Sequence, residues 1–247
     1  MLRSIRTARA TLRSLRIYYG DRKRAAAMDR LHGNFVRSGD LVFDVGAHVG
    51  DRVASFRRLG ARVVAVEPQR AMVRALRLLY GRDGSVTIEA VAVGAQPGTA
   101  RMLINSDNPT VSSVSSAFVA AAHGAPGWET QRWSEFADVE LTTLDTLVAR
   151  HGVPAFIKLD VEGFEAEALS GLSQPVRALS FEFTTIQPDV ALACIEQCEA
   201  MGYARFNAAL GESQTMIGVS VGAKEIARWL SALPQTANSG DIYAVAA

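Results

Sequence analysis

LVFDVGAHVGD, running from Leu41 to Asp51, starts as an apolar run, stops at an acid and a glycine turn, and leads into DRVASFRRLG, whose apolar residues recur at helical spacing. A strand that ends in glycines and feeds a helix is half of a βαβ unit. The next segments complete it: RVVAVEP (62–68) reads as a second strand, QRAMVRALRLLYG (69–81) as a helix and SVTIEAVAVG (85–94) as a third strand. Outward from there the alternation pauses. TARMLIN (99–105) reads as a strand, NPTVSSVSSAF (108–118) and HGAPGW (123–128) as a long loop with room for a helical turn, and DVELTTLD (138–145) as a returning strand. Long loops within compact domains are usually functional or disordered. Helix and strand then alternate to the end: TLDTLVARHG, PAFIKLD, VEGFEAEALSGL, RALSFEFT, PDVALACIEQCEAMG, YARFNA, GAKEIARWLSAL and DIYAVA. The pattern predicts an α/β fold with a mostly parallel sheet and helices on both faces.

The first strand-to-helix turn is where such a sheet binds ligands. Gly46 and Gly50 permit close backbone approach, and the helix after them presents free N–H groups. The spacing is not G-x-G-x-x-G, and Asp44 just before the turn would repel a pyrophosphate while suiting a cationic or hydroxyl-bearing ligand. Glu67 ends the second strand, where a carboxylate can accept both hydroxyls of a ribose, and Pro68 fixes the exit of the chain. An acid at each place suggests a nucleoside without phosphates, and S-adenosylmethionine fits. Each residue alone reads equally well as structural, with Asp44 capping a turn and Glu67 a solvated strand end; the combination in this order favours the cofactor.

At this point the chain resembles the FkbM family of S-adenosylmethionine-dependent methyltransferases. The resemblance is carried by DVGAHVG (44–50), EP (67–68), AVG (92–94), TLD (143–145), KLDVEGFE (158–165) and GDIY (240–243). It implies the class I, Rossmann-like methyltransferase fold, a seven-stranded mostly parallel sheet with an antiparallel final strand. It also implies O-methylation of a sugar or natural-product hydroxyl, with Val91 and Ala92 beside the cofactor. His48 departs from the pattern, standing where the family has asparagine, and its charge near neutral pH becomes a question. The expected organisation is a basic helical extension over 1–40 and a methyltransferase domain over 41–247, with 98–142 as an inserted substrate-side segment.

Methyl transfer needs the acceptor oxygen aligned with the methyl and its proton removed. The resemblance, not the spacing, selects Lys158, Asp160 and Glu162 for catalysis: Asp160 near the cofactor's cationic end, Glu162 or Lys158 orienting or deprotonating the acceptor. Strand alternation places Lys158 and Asp160 on one face, able to pair. Asp160 as a helix cap and Glu162 as a dipole partner are the structural alternatives, and Glu165 and Glu167 read as acids of the following helix, Glu165 partly covered. Glu182, among apolar neighbours, can act as a base with raised pKa or join Asp160 around a hard cation. No dedicated ligand cluster is evident, so a divalent metal is possible but not expected. Asn108, Ser112, Ser113, Ser115 and Ser116 offer groups suited to a sugar, or simply line a polar loop. His123 is a candidate base or a solvated histidine; Trp128 and Trp133 can stack on a sugar or anchor the loop.

The bulk properties narrow the classes. At 247 residues, 49% hydrophobic and 21% charged, the chain suits one large domain. Cys194 and Cys198 lie four apart in a helical stretch with no neighbouring histidine, which reads as small buried side chains in a reducing compartment. Residues 1–30 hold nine Lys/Arg against Asp21 and Asp29, whereas the remainder is net acidic. MLRSIRTARATLRSL forms an amphipathic pattern with a basic face, readable as a helix packed on the domain, a peripheral contact with anionic lipid, or an organellar presequence. The expectation is a cytoplasmic enzyme, with peripheral membrane contact through the basic helix as the alternative, a small-molecule or glycan acceptor, no nucleic-acid partner and an open oligomeric state. The rival classes are methylation of a non-sugar natural product, a NAD-dependent oxidoreductase, and a binding module that has lost its chemistry.

Overall fold

The computed structural model describes residues 2–246, with side chains described from Thr11 onward. The first arginines and apolar residues of the basic N-terminal pattern, up to residue 10, therefore lie outside the described side chains. Two helices, α1 (Leu2–Gly20) and α2 (Arg22–His32), precede the sheet. The chain then runs β1 (Leu41–Val45), α3 (Asp51–Arg58), β2 (Arg62–Val66), α4 (Arg70–Tyr80) and β3 (Val86–Glu89). After the inserted region come α6 (Leu144–His151), β7 (Phe156–Leu159), α7 (Glu165–Leu169), β8 (Ala178–Thr184), α8 (Pro188–Ala200), β9 (Tyr203–Leu210), α9 (Ala223–Ser231) and β10 (Ser239–Ala246).

The seven-stranded sheet has the order β3-β2-β1-β7-β8-β10-β9. Strands β3, β2, β1, β7 and β8 pair in parallel, and β10 runs antiparallel to both β8 and β9. This is the class I methyltransferase sheet, inverted final strand included. Side-chain alternation along each strand divides the core in two. Phe43, Val45, Ile157, Leu159, Leu179 and Phe181 pack beneath α6 to α9 with Leu147, Leu169, Ile195 and Ile226. Val42, Val63, Ala65 and Phe156 face the other way, onto Leu31, Val53, Phe56 and Leu76 of α2 to α4. Each fully buried side chain of this size contributes roughly 1.5–3 kcal/mol. Cys194 and Cys198 are free and buried on α8, and burial pushes both thiols up, Cys198 to about 12.

Three elements depart from the sequence expectation. The segment 85–94 is not one strand: β3 leaves β2 at Glu89, and Ala92–Val93 (β4) pairs instead with β6 (Glu135–Thr142). β6 also pairs antiparallel with β5 (Gly98–Ile104), making a separate three-stranded sheet. Between β5 and β6 lie a 3-10 turn (Pro109–Val111) and α5 (Ser116–Ala122), so the inserted segment carries more structure than a loop. The helix expected from Val161 begins only at Glu165, because Glu162 (φ 56°) and Gly163 (φ 83°) take left-handed backbone that a helix cannot continue through. Among the described residues no helix is long and apolar enough to cross a membrane.

Candidate active site

The face of the sheet turned toward α2 to α4 is apolar at the amino ends of its strands and polar at the carboxyl ends. Val42 is followed on that face by Asp44, Phe156 by Lys158, and Ala178 by Ser180 and Glu182; on the inverted β10, Tyr243 is preceded by Asp241. Register sets these groups side by side: Asp44 lies opposite Lys158, Lys158 opposite Ser180, and Glu182 opposite Asp241. Of these, Asp44, Lys158 and Glu182 line a cleft at the carboxyl end of the sheet, where open α/β sheets bind their ligands.

One side of the cleft is the turn after β1. Gly46 has φ 85°, and a Cβ there would lie 1.7 Å from the Asp160 carbonyl oxygen, so glycine is required twice over. His48 has φ 47°, a region where asparagine and histidine are both enriched among non-glycine residues, which accounts for the exchange. Burial lowers its pKa to about 4, so the ring is neutral near pH 7, and Nε2 is buried without a partner. The Glu67 carboxylate, 2% exposed, accepts from His48 N (2.9 Å) and Gln69 N (2.7 Å), one oxygen each. Each oxygen keeps a lone pair for another donor. Burial pushes Glu67 up to about 7 and Asp44 up to about 7, the latter against the pull of Lys158. Asp44 Oδ2 is buried with no hydrogen-bond partner. A buried carboxylate oxygen with nothing to accept from is costly unless a ligand supplies a donor or a positive charge. The orphaned Asp44 oxygen, the Gly46 cradle and the Glu67 carboxylate together fit the amine, sulfonium and ribose of S-adenosylmethionine.

Facing this turn is the end of β7. Lys158 Nζ donates to Asp160 Oδ2 (3.0 Å) and to Asp241 Oδ1 (2.9 Å). Burial favours the neutral amine, but the two carboxylates outweigh it and hold Lys158 well above its usual pKa, so it stays cationic. Burial would likewise raise Asp160, yet Lys158 and Arg52 hold it below the usual carboxylate range. Glu162 and Glu182 go the other way: burial first, then the negative charge of Asp160, raise both well above normal. Asp160, Glu162 and Glu182 bring one oxygen each within 4.8 Å of one another. Such a set suits a hard cation, or equally one charge and shared protons. Glu165 is neither solvated nor catalytic in position; its carboxylate accepts from Val161 N (2.9 Å) and Gly163 N (3.0 Å) and so holds the loop that carries Asp160 and Glu162. Asp160 is not a helix cap, since α7 starts from Phe164. Glu167 is exposed.

The cleft gathers Asp44, Gly46, His48, Glu67, Pro68, Val91 and Ala92 with Lys158, Asp160, Glu162 and Glu182, and from the inserted segment Ser112 and Ser113. Five expected residues, Gly50, Asn108, Ser115, Ser116 and His123, stand apart from that lining. Gly50 is not in the lining: a Cβ there would meet Tyr80 at 2.7 Å and Leu76 at 2.8 Å, so its place is the packing of the turn on α4. Asn108 is occupied with Gln131 (3.3 Å), and His123 ends α5 exposed, outside the lining. Ser115 caps α5, Ser116 is exposed, and the Ser113 hydroxyl donates to the Glu162 carbonyl (2.6 Å). Trp128 and Trp133 pack edge-on to Phe118, and Trp133 Nε1 donates to Val111 O (2.7 Å); they anchor the insert.

Sequence reasoning passed over Tyr18, Arg52, Thr110, Glu212 and Asp241. Arg52 bridges Asp51 (2.7 Å) and Glu212 (3.2 Å), and Arg24 of α2 reaches the same two acids at 3.0 and 2.7 Å. Asp241 had a visible signal, lying inside the quoted GDIY; Tyr18 and Glu212 had none.

A family profile described as "Methyltransferase FkbM domain" matches residues 44–235. No curated protein matches the chain. Similar solved structures include a TehB-like SAM-dependent methyltransferase from Corynebacterium glutamicum, at 11% identity, covering 90% of this chain and 88% of that one with TM-score 0.45. A precorrin-6Y C5,15-methyltransferase from Geobacter metallireducens is 12% identical, with coverage of 91% and 87% and TM-score 0.43. A 1,6-didemethyltoxoflavin-N1-methyltransferase from Burkholderia thailandensis, solved with S-adenosylhomocysteine, is 13% identical, with coverage of 99% and 87% and TM-score 0.43. The fold assignment rests on the strand order itself.

Proposed function

This chain belongs to the FkbM methyltransferase family, and we propose from that premise that it uses S-adenosylmethionine to methylate a hydroxyl of a sugar or glycosylated small molecule. The observation that carries the proposal is Glu162: the residue is 7% exposed, lines the same cleft as Glu67 and Asp44, and brings a carboxylate oxygen within 4.8 Å of Asp160 and Glu182. An acid whose pKa is raised by burial and a neighbouring carboxylate, in the same cleft as that turn, supports a role in taking a proton from an acceptor hydroxyl.

S-adenosylmethionine supplies the electrophilic methyl on its sulfonium. In this reading Glu67 accepts from the ribose hydroxyls, Asp44 faces the cationic amino-acid end, and Gly46 lets the backbone approach. Lys158 is held charged by Asp160 and Asp241, so it orients groups and is not the base. The acceptor oxygen attacks the methyl carbon as the carbon–sulfur bond breaks, and its proton passes to the Glu162 carboxylate, with S-adenosylhomocysteine as the other product. The cluster of acceptor oxygens on Asp160, Glu162 and Glu182 favours a ligand with several hydroxyls, and Ser112 and Ser113 lie at its edge. Should a divalent cation take part, the same three carboxylates would hold it; with Lys158 already beside Asp160, turnover is proposed not to need one.

Two measurements test this. Isothermal titration with S-adenosylhomocysteine, against NAD as a comparison, tests the cofactor; binding of NAD alone would replace the reading with an oxidoreductase. Incubation of a small-molecule extract with enzyme and methyl-labelled cofactor, followed by mass spectrometry, identifies the acceptor. Label appearing only on non-glycosylated products would move the acceptor to another natural-product class.

A further inference from the structure

The family match begins at residue 44, so helix α1 lies outside it, yet α1 reaches the cleft. Tyr18 is among its lining residues. The Tyr18 ring stands edge-on to His48 with centroids 5.8 Å apart, and the Arg24 guanidinium sits 5.1 Å from the centre of the same ring. The Tyr18 hydroxyl is directed at Thr110 in the 3-10 turn of the inserted segment. His48 is the residue whose backbone N–H holds Glu67, so the ring lies beside the group suited to a ribose.

The helix is fastened on both sides of that position. Leu15 and Tyr18 pack against Val49, Met72 and Ala75. The Tyr19 hydroxyl donates to Val49 O (3.0 Å), on the glycine turn. Arg13 donates to Asp107 O (2.7 Å), in the inserted segment. One helix thus ties together two walls of the cleft that otherwise come from distant parts of the chain. A tyrosine suits such a place, because its ring covers apolar surface while its hydroxyl stays with polar partners.

We infer that Tyr18 is a ligand-binding residue: α1 supplies a wall of the cofactor pocket, and the Tyr18 ring contacts the nucleoside portion of the bound cofactor. This rests on the reading of the cleft as an S-adenosylmethionine site. The part of the chain matched by the family profile would then be incomplete as a binding site without residues that precede it. One face of the Tyr18 ring is covered by Arg24, which is itself bound to Asp51 and Glu212, so the ring is held in place before the ligand arrives.

The test is isothermal titration of the full chain with S-adenosylhomocysteine, paired with calorimetric melting of the free protein. Tyr18→Ala is expected to raise Kd about tenfold or more, and Tyr18→Phe, which keeps the ring, to raise it less. Leu15→Ala is the control, since Leu15 packs in the same cluster but does not line the cleft. It should lower the melting temperature while leaving Kd within about twofold. Wild-type Kd in Tyr18→Ala overturns the inference. So does an equal rise in Kd in Leu15→Ala, which would make α1 a scaffold only. A folded wild-type protein that fails to bind S-adenosylhomocysteine overturns the cofactor reading and this inference together, whereas tight wild-type binding with an indifferent Tyr18→Ala overturns the inference alone.

Discussion

Lys158 and Asp160 form an ion pair of 3.0 Å at the end of a central strand, with the lysine side chain 2% exposed. Lys158 also serves Asp241, so its removal leaves two acids facing each other in the interior. Lys158→Met is expected to lower the unfolding free energy by about 3–5 kcal/mol, the usual cost of breaking a buried pair from one side. Urea unfolding measures it. A loss below about 1 kcal/mol would mean the two acids simply take up protons.

Glu67→Ala should weaken S-adenosylhomocysteine binding by at least about tenfold, because hydrogen bonds to a charged group contribute roughly 1.5–3 kcal/mol. His48 N and Gln69 N also lose their acceptor. Titration calorimetry decides it, and an unchanged Kd removes the ribose assignment.

Asp44 gives a pH dependence with a definite sign. Its pKa is raised from 3.8 to about 7 by burial, so the folded state binds its proton more tightly than the unfolded state. The stability attached to that proton is complete below about pH 3.8 and is lost as the pH rises through about 7. Asp44→Asn cannot lose it. The unfolding free energy of Asp44→Asn relative to the wild type should therefore rise between pH 5 and pH 8, reaching more than about 1 kcal/mol, while cofactor affinity falls. A flat difference would show that Asp44 has a donor even without ligand.

Glu162→Gln is expected to lower kcat by about 10²–10⁴-fold with little change in Kd for S-adenosylhomocysteine. With the wild type, kcat/KM should climb through an apparent pKa above the usual glutamate range, since the raised carboxyl must ionise to accept the proton. Chelation of divalent metals should leave turnover intact; its loss on chelation, with recovery on Mg²⁺, would assign Asp160, Glu162 and Glu182 to a cation instead.

Gly46→Ala meets the Asp160 carbonyl and needs φ near 85° as well. Cofactor binding should be abolished by calorimetry, with a lower melting temperature from the same clash. Retention of both would require the β7 loop to move aside.

The α/β alternation was readable because period-2 and period-3.6 patterns are local, and each strand carries its own. Asp44 and Glu67 were readable because their position at strand ends fixes what they can reach. The break at Ala90 was not, because Val86–Glu89 and Ala92–Val93 have the same apolar character, and only the choice of β6 over β2 as partner separates them. Asp241 belongs to the site because β10 is inverted beside β8, a pairing between residues far apart in sequence. Asn108 and His123 look equally chemical on paper, but contacts within the insert, not composition, decide which polar groups face inward. Tyr18 gave no signal because its helix reads as an ordinary amphipathic extension.

Gly98 pairs with Leu141, and the ladder continues to Ile104 with Glu135. The two ends of the inserted segment are therefore closed on each other like the neck of a pouch, and what lies between them is carried on its own small sheet, tied to the rest at Ser113, Pro109 and Asp107. Lengthening or replacing residues 105–134 leaves that neck unaltered, and the entropic cost of a longer closed loop grows only slowly. On the proposed reading, grafting a different insert would change acceptor preference, while Asp44 and Glu67 stay where the central strands put them.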